Sequence, residues 1–98
     1  MEITKNTNGT SLELLLAGRL DTVTAPQFEE EIKNGLGGIT ELVLNFEKLE
    51  YVSSAGLRVI LSAQKIMNKQ GSMKITNVVP DIMEVFEITG FSDILTIE

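Results

Sequence analysis

Hydrophobic and polar positions alternate near the start of the chain in the manner of paired strands. Every second residue from Leu12 to Leu16 is a leucine, so a strand over residues 11–17 should bury one face and leave the other partly exposed to solvent. A shorter strand is predicted over residues 3–5, and the pair Asn8-Gly9 between them is a strong hairpin signal. The chain is therefore predicted to open with two antiparallel strands.

Three helices are predicted from residues that recur at helical spacing. The first begins near Ala25, with Thr24 as the expected N-cap, a proline in the first turn and a glutamine three residues after the cap. The second extends from about Ala55 to Lys69, and the third begins at Pro80. The residues expected to face the core are Phe28, Ile32, Leu36, Leu57, Ile60, Leu61, Met67, Ile82, Val85, Phe86 and Thr89.

Three further strands are predicted between and after these helices. Residues 42–46 form a near-continuous apolar run, typical of an inner strand covered on both faces. Residues 73–78 and 94–97 complete the set, while the glycine-rich residues 34–38 follow a helix and so indicate a helix end and turn rather than a phosphate loop. Alternating strands and helices predict one α/β domain over residues 1–98, with a mixed, mostly parallel sheet of about five strands and three to four helices.

Composition excludes several classes of function. Eight basic against fourteen acidic residues leave a net charge of −6, which disfavours binding to nucleic acid or to anionic membranes. The chain has no cysteine and no histidine, so thiolate chemistry and the commonest metal ligand and general base are missing. We therefore expect no catalytic activity, no metal site and no cofactor. No leader-like or membrane-spanning run is present in the sequence, and a cytoplasmic location is expected.

The segment from Ser53 to Gly56, Ser-Ser-Ala-Gly, lies where the third predicted strand meets the second helix. Either serine is a candidate N-cap, and Ser54 is preferred if the helix begins after it. A glycine in the first turn of a helix costs about 0.5–1 kcal/mol relative to alanine, so Gly56 requires a further reason. One candidate reason is a low surface for close approach by a partner, at the sheet edge where α/β proteins bind ligands. Ser54 is then a candidate phosphoacceptor, because a helix N-terminus favours negative charge.

Four segments together make the chain resemble a stand-alone STAS domain of the anti-sigma factor antagonist (anti-anti-sigma factor) family of bacteria. They are Gly-Arg-Leu-Asp at residues 18–21, the apolar strand at 41–52, Ser-Ser-Ala-Gly-Leu-Arg-Val-Ile-Leu at 53–61, and Ile-Thr-Gly-Phe at 88–91. The resemblance extends over nearly the whole chain.

The resemblance implies a phosphorylation switch in transcription regulation. It implies that the unphosphorylated form binds an anti-sigma factor that is also a serine kinase, that this frees the sigma factor, and that a serine phosphatase resets the cycle. By position Ser54 matches the phosphoacceptor, with Ser53 as the runner-up. The implied partner-binding residues are Asp21, Ser53, Ser54, Ala55, Gly56, Leu57 and Arg58.

The chain departs from the family pattern at two positions. Ser53 stands where relatives commonly have an aspartate, and Arg19 stands where many have a glutamate. Two other functions stay open at this point: a small-ligand or nucleotide-binding domain that uses the backbone amides of residues 54–57, and a constitutive scaffold subunit in which Ser54 is only a cap. Arg58 lies one helical turn after Ser54 and can face a phosphate there or an acidic partner; the alternative is an arginine that is only solvated. A monomer is expected, with a weak dimer as the alternative.

Overall fold

A four-stranded sheet with the spatial order β1-β2-β3-β4 forms one layer of the fold. The computed structural model describes all residues from 1 to 98. The strands are β1 (Glu2–Asn8), β2 (Ser11–Leu20), β3 (Glu41–Val52) and β4 (Ser72–Thr76), and the helices are α1 (Ala25–Gly35), α2 (Ser54–Gln70) and α3 (Pro80–Thr89). Strand β1 is antiparallel to β2, whereas β2, β3 and β4 are parallel neighbours. The predicted α/β class, the mixed, mostly parallel sheet and the starts of the three helices are confirmed.

The opening hairpin forms around a two-residue loop. Asn8 pairs with Ser11, so Gly9 and Thr10 make the connection. The φ of Gly9 is +63°, in the left-handed region that tight hairpin turns require and that glycine adopts without strain. The turn signal in the sequence therefore specified the hairpin correctly.

One hydrophobic core of 24 buried residues lies between a single face of the sheet and the helices. In β3 the inner side chains Leu42, Leu44 and Phe46 are fully buried, whereas Val43 and Asn45 on the opposite face are only half-buried. The prediction that both faces of this strand are covered is wrong, because all three helices pack into the one core. Strand β2 alternates as predicted, with buried leucines on the inner face.

The predicted fifth strand is also wrong. Residues 91–93 form a 3₁₀ turn, and the backbone N–H groups of Ile94 and Leu95 both donate to the carbonyl of Phe91. Only the last residues then reach the sheet edge, where Ile97 makes an isolated parallel bridge with Ile75 of β4. Strand β4 is itself shorter than predicted, since it ends before Asn77, whose φ is +57°.

Candidate functional site

The candidate site lies where β2 and β3 end side by side. The backbone N–H of Ser53 donates to the carbonyl of Leu20 at 2.8 Å, so the segment after β3 lies against the end of β2. Helices α1 and α2 both begin at this edge. The topology therefore brings the loop at residues 21–24 next to the serine segment, as expected for the carboxyl edge of parallel strands.

Ser53, not Ser54, caps α2. Ser53 has extended backbone angles, and its Oγ accepts a hydrogen bond from the N–H of Gly56 at 3.2 Å. Ser54 is the first helical residue; it is exposed, and its hydroxyl makes no hydrogen bond within the protein. The preference for Ser54 as the cap is thus wrong, and the alternative serine has that role. Because capping does not engage the Ser54 hydroxyl, this group is free to react or to contact another molecule.

Gly56 is required by packing inside the protein. A Cβ at this position would lie 2.6 Å from the Cγ of Leu20, closer than a real Cβ approaches another atom, and 3.1 Å from the Leu20 carbonyl oxygen, which is a tight contact. Gly56 is buried, and Leu57 after it is only 8% exposed. Of the predicted partner-binding residues, these two therefore lie inside the free domain, while Ser54 and Arg58 are exposed and Ala55 is half-buried.

Asp21 organises the loop between β2 and α1. Its Oδ1 accepts hydrogen bonds from the backbone N–H groups of Val23 at 3.0 Å and Thr24 at 3.1 Å. These hydrogen bonds hold the pKa of Asp21 below its ordinary value, and the bond from the Thr24 N–H has the largest effect. The Thr24 hydroxyl and the charge of Arg19 also lower this pKa, whereas partial burial raises it. The carboxylate is therefore ionised at neutral pH and shapes the loop beside the serine segment.

The predicted capping role of Thr24 is not observed. Thr24 is the residue before α1, but its side chain makes no cap hydrogen bond to the helix. Its hydroxyl instead accepts from the N–H of Asp21 at 2.9 Å and donates to the carbonyl of Arg19 at 2.7 Å. The glutamine expected to complete the cap, Gln27, donates to the carbonyl of Met1. Thr24 thus stabilises the loop, while the proline in the first turn is placed as predicted.

Arg19 and Tyr51 form a pair that sequence reasoning missed. The two residues are register partners in β2 and β3, and the guanidinium carbon of Arg19 lies 4.2 Å from the centre of the Tyr51 ring. Arg19 Nε lies 3.7 Å from Asp21 Oδ2. The pairing depends on two register shifts in which β3 contains an extra residue opposite β2. No local pattern in the sequence indicates such bulges.

A shallow groove of about 200 Å³ separates the first turns of α1 and α2. This volume is below the roughly 300–1,000 Å³ of typical small-molecule sites. Two of the amides proposed as an anion site are also engaged, since Gly56 N–H donates to Ser53 Oγ and Leu57 N–H to the Ser53 carbonyl. Both observations count against the nucleotide-binding alternative. The groove is lined by Thr22, Ala25, Pro26, Glu29, Ala55, Arg58 and Val59.

No group of three or more acidic, histidine or cysteine side chains is arranged to hold a metal ion. None of the three helices has the length and apolar character needed to cross a bilayer. The chemistry available at this edge is that of a surface: hydroxyls, two guanidinium groups, the carboxylates of Asp21 and Glu29, and the side chain of Val23, which is 85% exposed.

Two curated proteins are similar to this chain over most of its length. BtrV of Bordetella bronchiseptica is 34% identical over 99 residues, covering 99% of this chain and 85% of that protein. The anti-sigma-B factor antagonist of Bacillus subtilis is 30% identical over 91 residues, covering 92% of this chain and 84% of that protein.

Among solved structures, the fold is similar to that of the anti-sigma factor antagonist SpoIIAA of Bacillus. The unphosphorylated form aligns with a TM-score of 0.78 at 21% identity, covering 99% of this chain and 87% of the SpoIIAA chain. The phosphorylated form gives a TM-score of 0.77 at 21% identity, covering 99% and 91% respectively. The sequence profile of the STAS domain matches residues 2–98. On the strength of that match over almost its full length, the chain belongs to the STAS domain family.

Proposed function

We propose that the protein is an anti-sigma factor antagonist whose binding is switched off by phosphorylation of Ser54. The observation that carries the proposal is the exposed Ser54 hydroxyl, which has no hydrogen-bond partner and stands at the first position of α2. The names of the relatives support it, since the Bacillus subtilis protein is an anti-sigma-B factor antagonist. SpoIIAA, which shares the fold, has been solved in phosphorylated and unphosphorylated forms.

The two serines have different roles in this proposal. The Ser53 hydroxyl is occupied as an acceptor at the N-cap and is half-buried, whereas the Ser54 hydroxyl is unoccupied and exposed. Serine and aspartate cap helices about equally well. The serine at position 53, where relatives commonly have an aspartate, therefore preserves the start of α2, although it removes a negative charge beside the phosphoacceptor.

Phosphorylation leaves the fold intact and changes the surface. A phosphate adds a charge of about −1.5 to −2, and negative charge in the first turn of a helix is stabilising by roughly 0.3–1 kcal/mol. In a desolvated interface the same unpaired charge costs several kcal/mol, and every 1.4 kcal/mol is tenfold in affinity. The affinity for the anti-sigma factor is therefore expected to fall roughly 30-fold to 1,000-fold.

The test incubates the protein with ATP and an anti-sigma factor that has serine kinase activity, and then identifies the phosphorylated residue by mass spectrometry. Wild type and Ser53→Ala should be phosphorylated at Ser54, and Ser54→Ala should bind the kinase but resist modification. Ser62→Ala is the matched control, because Ser62 is an exposed serine farther along the same helix. A serine phosphatase should restore binding of the phosphorylated protein.

Two outcomes would contradict the proposal. Phosphorylation found at Ser53 alone would assign the switch to that serine instead of Ser54. Equal affinity before and after modification would favour the constitutive scaffold subunit, in which the serine segment has only a structural role.

A further inference from the structure

Both arginines of the chain lie at the Ser54 edge. The sequence contains eight basic residues, and Arg19 and Arg58 are the only arginines among them. Arg58 is four residues after Ser54 on α2, which places its side chain one helical turn from Ser54. Arg19, near the end of β2, stacks on Tyr51 on the open face of the sheet, since the next residue of each strand, Leu20 and Val52, is buried. Arginine binds carboxylates through paired hydrogen bonds and is enriched among the residues that dominate binding energy at interfaces.

Arg19 is held in place before any partner arrives. Its guanidinium group lies over the Tyr51 ring at 4.2 Å, and only its Nε approaches Asp21, at 3.7 Å, which is too long for a hydrogen bond. The side chain is 60% exposed, so the guanidinium group is accessible to a partner. A preorganised side chain loses less conformational entropy on binding than a free one.

Arg58 is an unpaired positive charge on an acidic protein. It is exposed and has no carboxylate within ion-pair distance, although Glu29 lines the same groove. Glu29 is paired instead with Lys33 along α1, at 3.6 Å. Because the net charge of the chain is −6, an approaching acidic surface is repelled by the protein as a whole, and the guanidinium group of Arg58 is a point at which that surface can find an opposite charge.

We propose that Arg19, on the open face of the sheet, and Arg58, on the helix side of the same edge, each recognise acidic side chains on the anti-sigma factor and so set the orientation of the complex. This inference rests on the proposed function, because it names the chemistry of that partner surface. Val23, 85% exposed in the loop between β2 and α1, is the adjacent apolar contact. A phosphate on Ser54 then has a second effect beyond its bulk, since its charge lies one turn from Arg58 and cancels the attraction there.

The test measures association kinetics of the anti-sigma factor with wild type, Arg19→Glu and Arg58→Glu. The matched controls are Lys65→Glu and Lys69→Glu, which make the same charge change at exposed positions farther along α2. At low salt, each arginine variant should associate about tenfold or more slowly than its lysine control, because complementary charge raises association rates by about 10-fold to 1,000-fold. At about 1 M salt, where the screening length is about 3 Å, the difference should shrink.

Two further variants separate recognition from loss of structure. Tyr51→Leu keeps the charge of Arg19 but removes the ring beneath it, and should slow association less than Arg19→Glu does. On the partner, replacing a contacted acidic residue by lysine should restore fast binding to Arg58→Glu. Unfolding curves for every variant establish that each remains folded.

The outcomes distinguish the inference from the proposed function. If wild type binds and Ser54 phosphorylation releases it, but the arginine and lysine variants associate at equal rates, only the inference is overturned. If wild type does not bind the anti-sigma factor, both are overturned.

Discussion

Gly56→Ala tests whether the glycine of the serine segment is required for packing inside the protein. The new Cβ would lie 2.6 Å from Leu20 Cγ and 3.0 Å from Leu20 Cδ2. Leu20 is fully buried, and its carbonyl is fixed by the hydrogen bond from Ser53 N–H, so neither group has room to move. Forcing a methyl group into a packed core costs about 1–3 kcal/mol, and here the upper part of that range applies because the contact with Leu20 Cγ is too short and those with Leu20 Cδ2 and the Leu20 carbonyl oxygen are tight. Alanine recovers about 0.5–1 kcal/mol of helix preference, which leaves a net loss of roughly 1–2.5 kcal/mol.

Urea unfolding of Gly56→Ala and Gly35→Ala provides the measurement and its control. Gly35 is the last residue of α1, and a Cβ there would make only an ordinary contact, 3.9 Å from Leu12. Gly35→Ala should therefore be neutral or slightly stabilising. If Gly56→Ala were as stable as wild type but failed to bind the anti-sigma factor, the packing explanation would be refuted and Gly56 would be kept for close approach by the partner.

Three further predictions concern the residues around this glycine. Ser53→Ala should lose roughly 0.5–2 kcal/mol of unfolding free energy because it removes the cap of α2, whereas Ser54→Ala should change stability little; denaturant curves of the pair decide which serine caps. Ser54→Asp should remain as stable as wild type, because negative charge in the first turn is favourable, and a large loss would contradict the assigned helix start. The folded-state pKa of Asp21 is lowered, so its stabilisation is present above the unfolded pKa of about 3.9 and is lost as pH falls through the folded value. Unfolding curves of wild type and Asp21→Asn should thus converge at acid pH, and a constant difference would count against this.

Local patterns predicted most elements because each pattern has one dominant physical cause. The hairpin followed from a glycine that adopts the left-handed conformation, and α1 and α3 followed from prolines that are tolerated only in a first turn. The failures share another cause. Ile94 and Ile97 are β-branched residues typical of strands. The N–H groups of Ile94 and Leu95 instead donate to the Phe91 carbonyl and close a turn, so only Ile97 forms a bridge to the sheet. Similarly, the apolar run in β3 indicates a strand without indicating how many of its faces are covered.

For the site, the amino-acid sequence by itself determined that a serine segment follows a parallel strand, that no histidine or cysteine is available for catalysis, and that the chain resembles the STAS family. Tertiary structure decided the rest. Which serine caps α2 depends on where the segment is anchored, and that anchor is the carbonyl of Leu20, more than thirty residues away in sequence. The Arg19–Tyr51 pair depends on two bulges in β3, which are a property of strand register. Residues distant in sequence meet only through packing and register, which is why local periodicity could place the site at this edge but could not assign the role of each side chain.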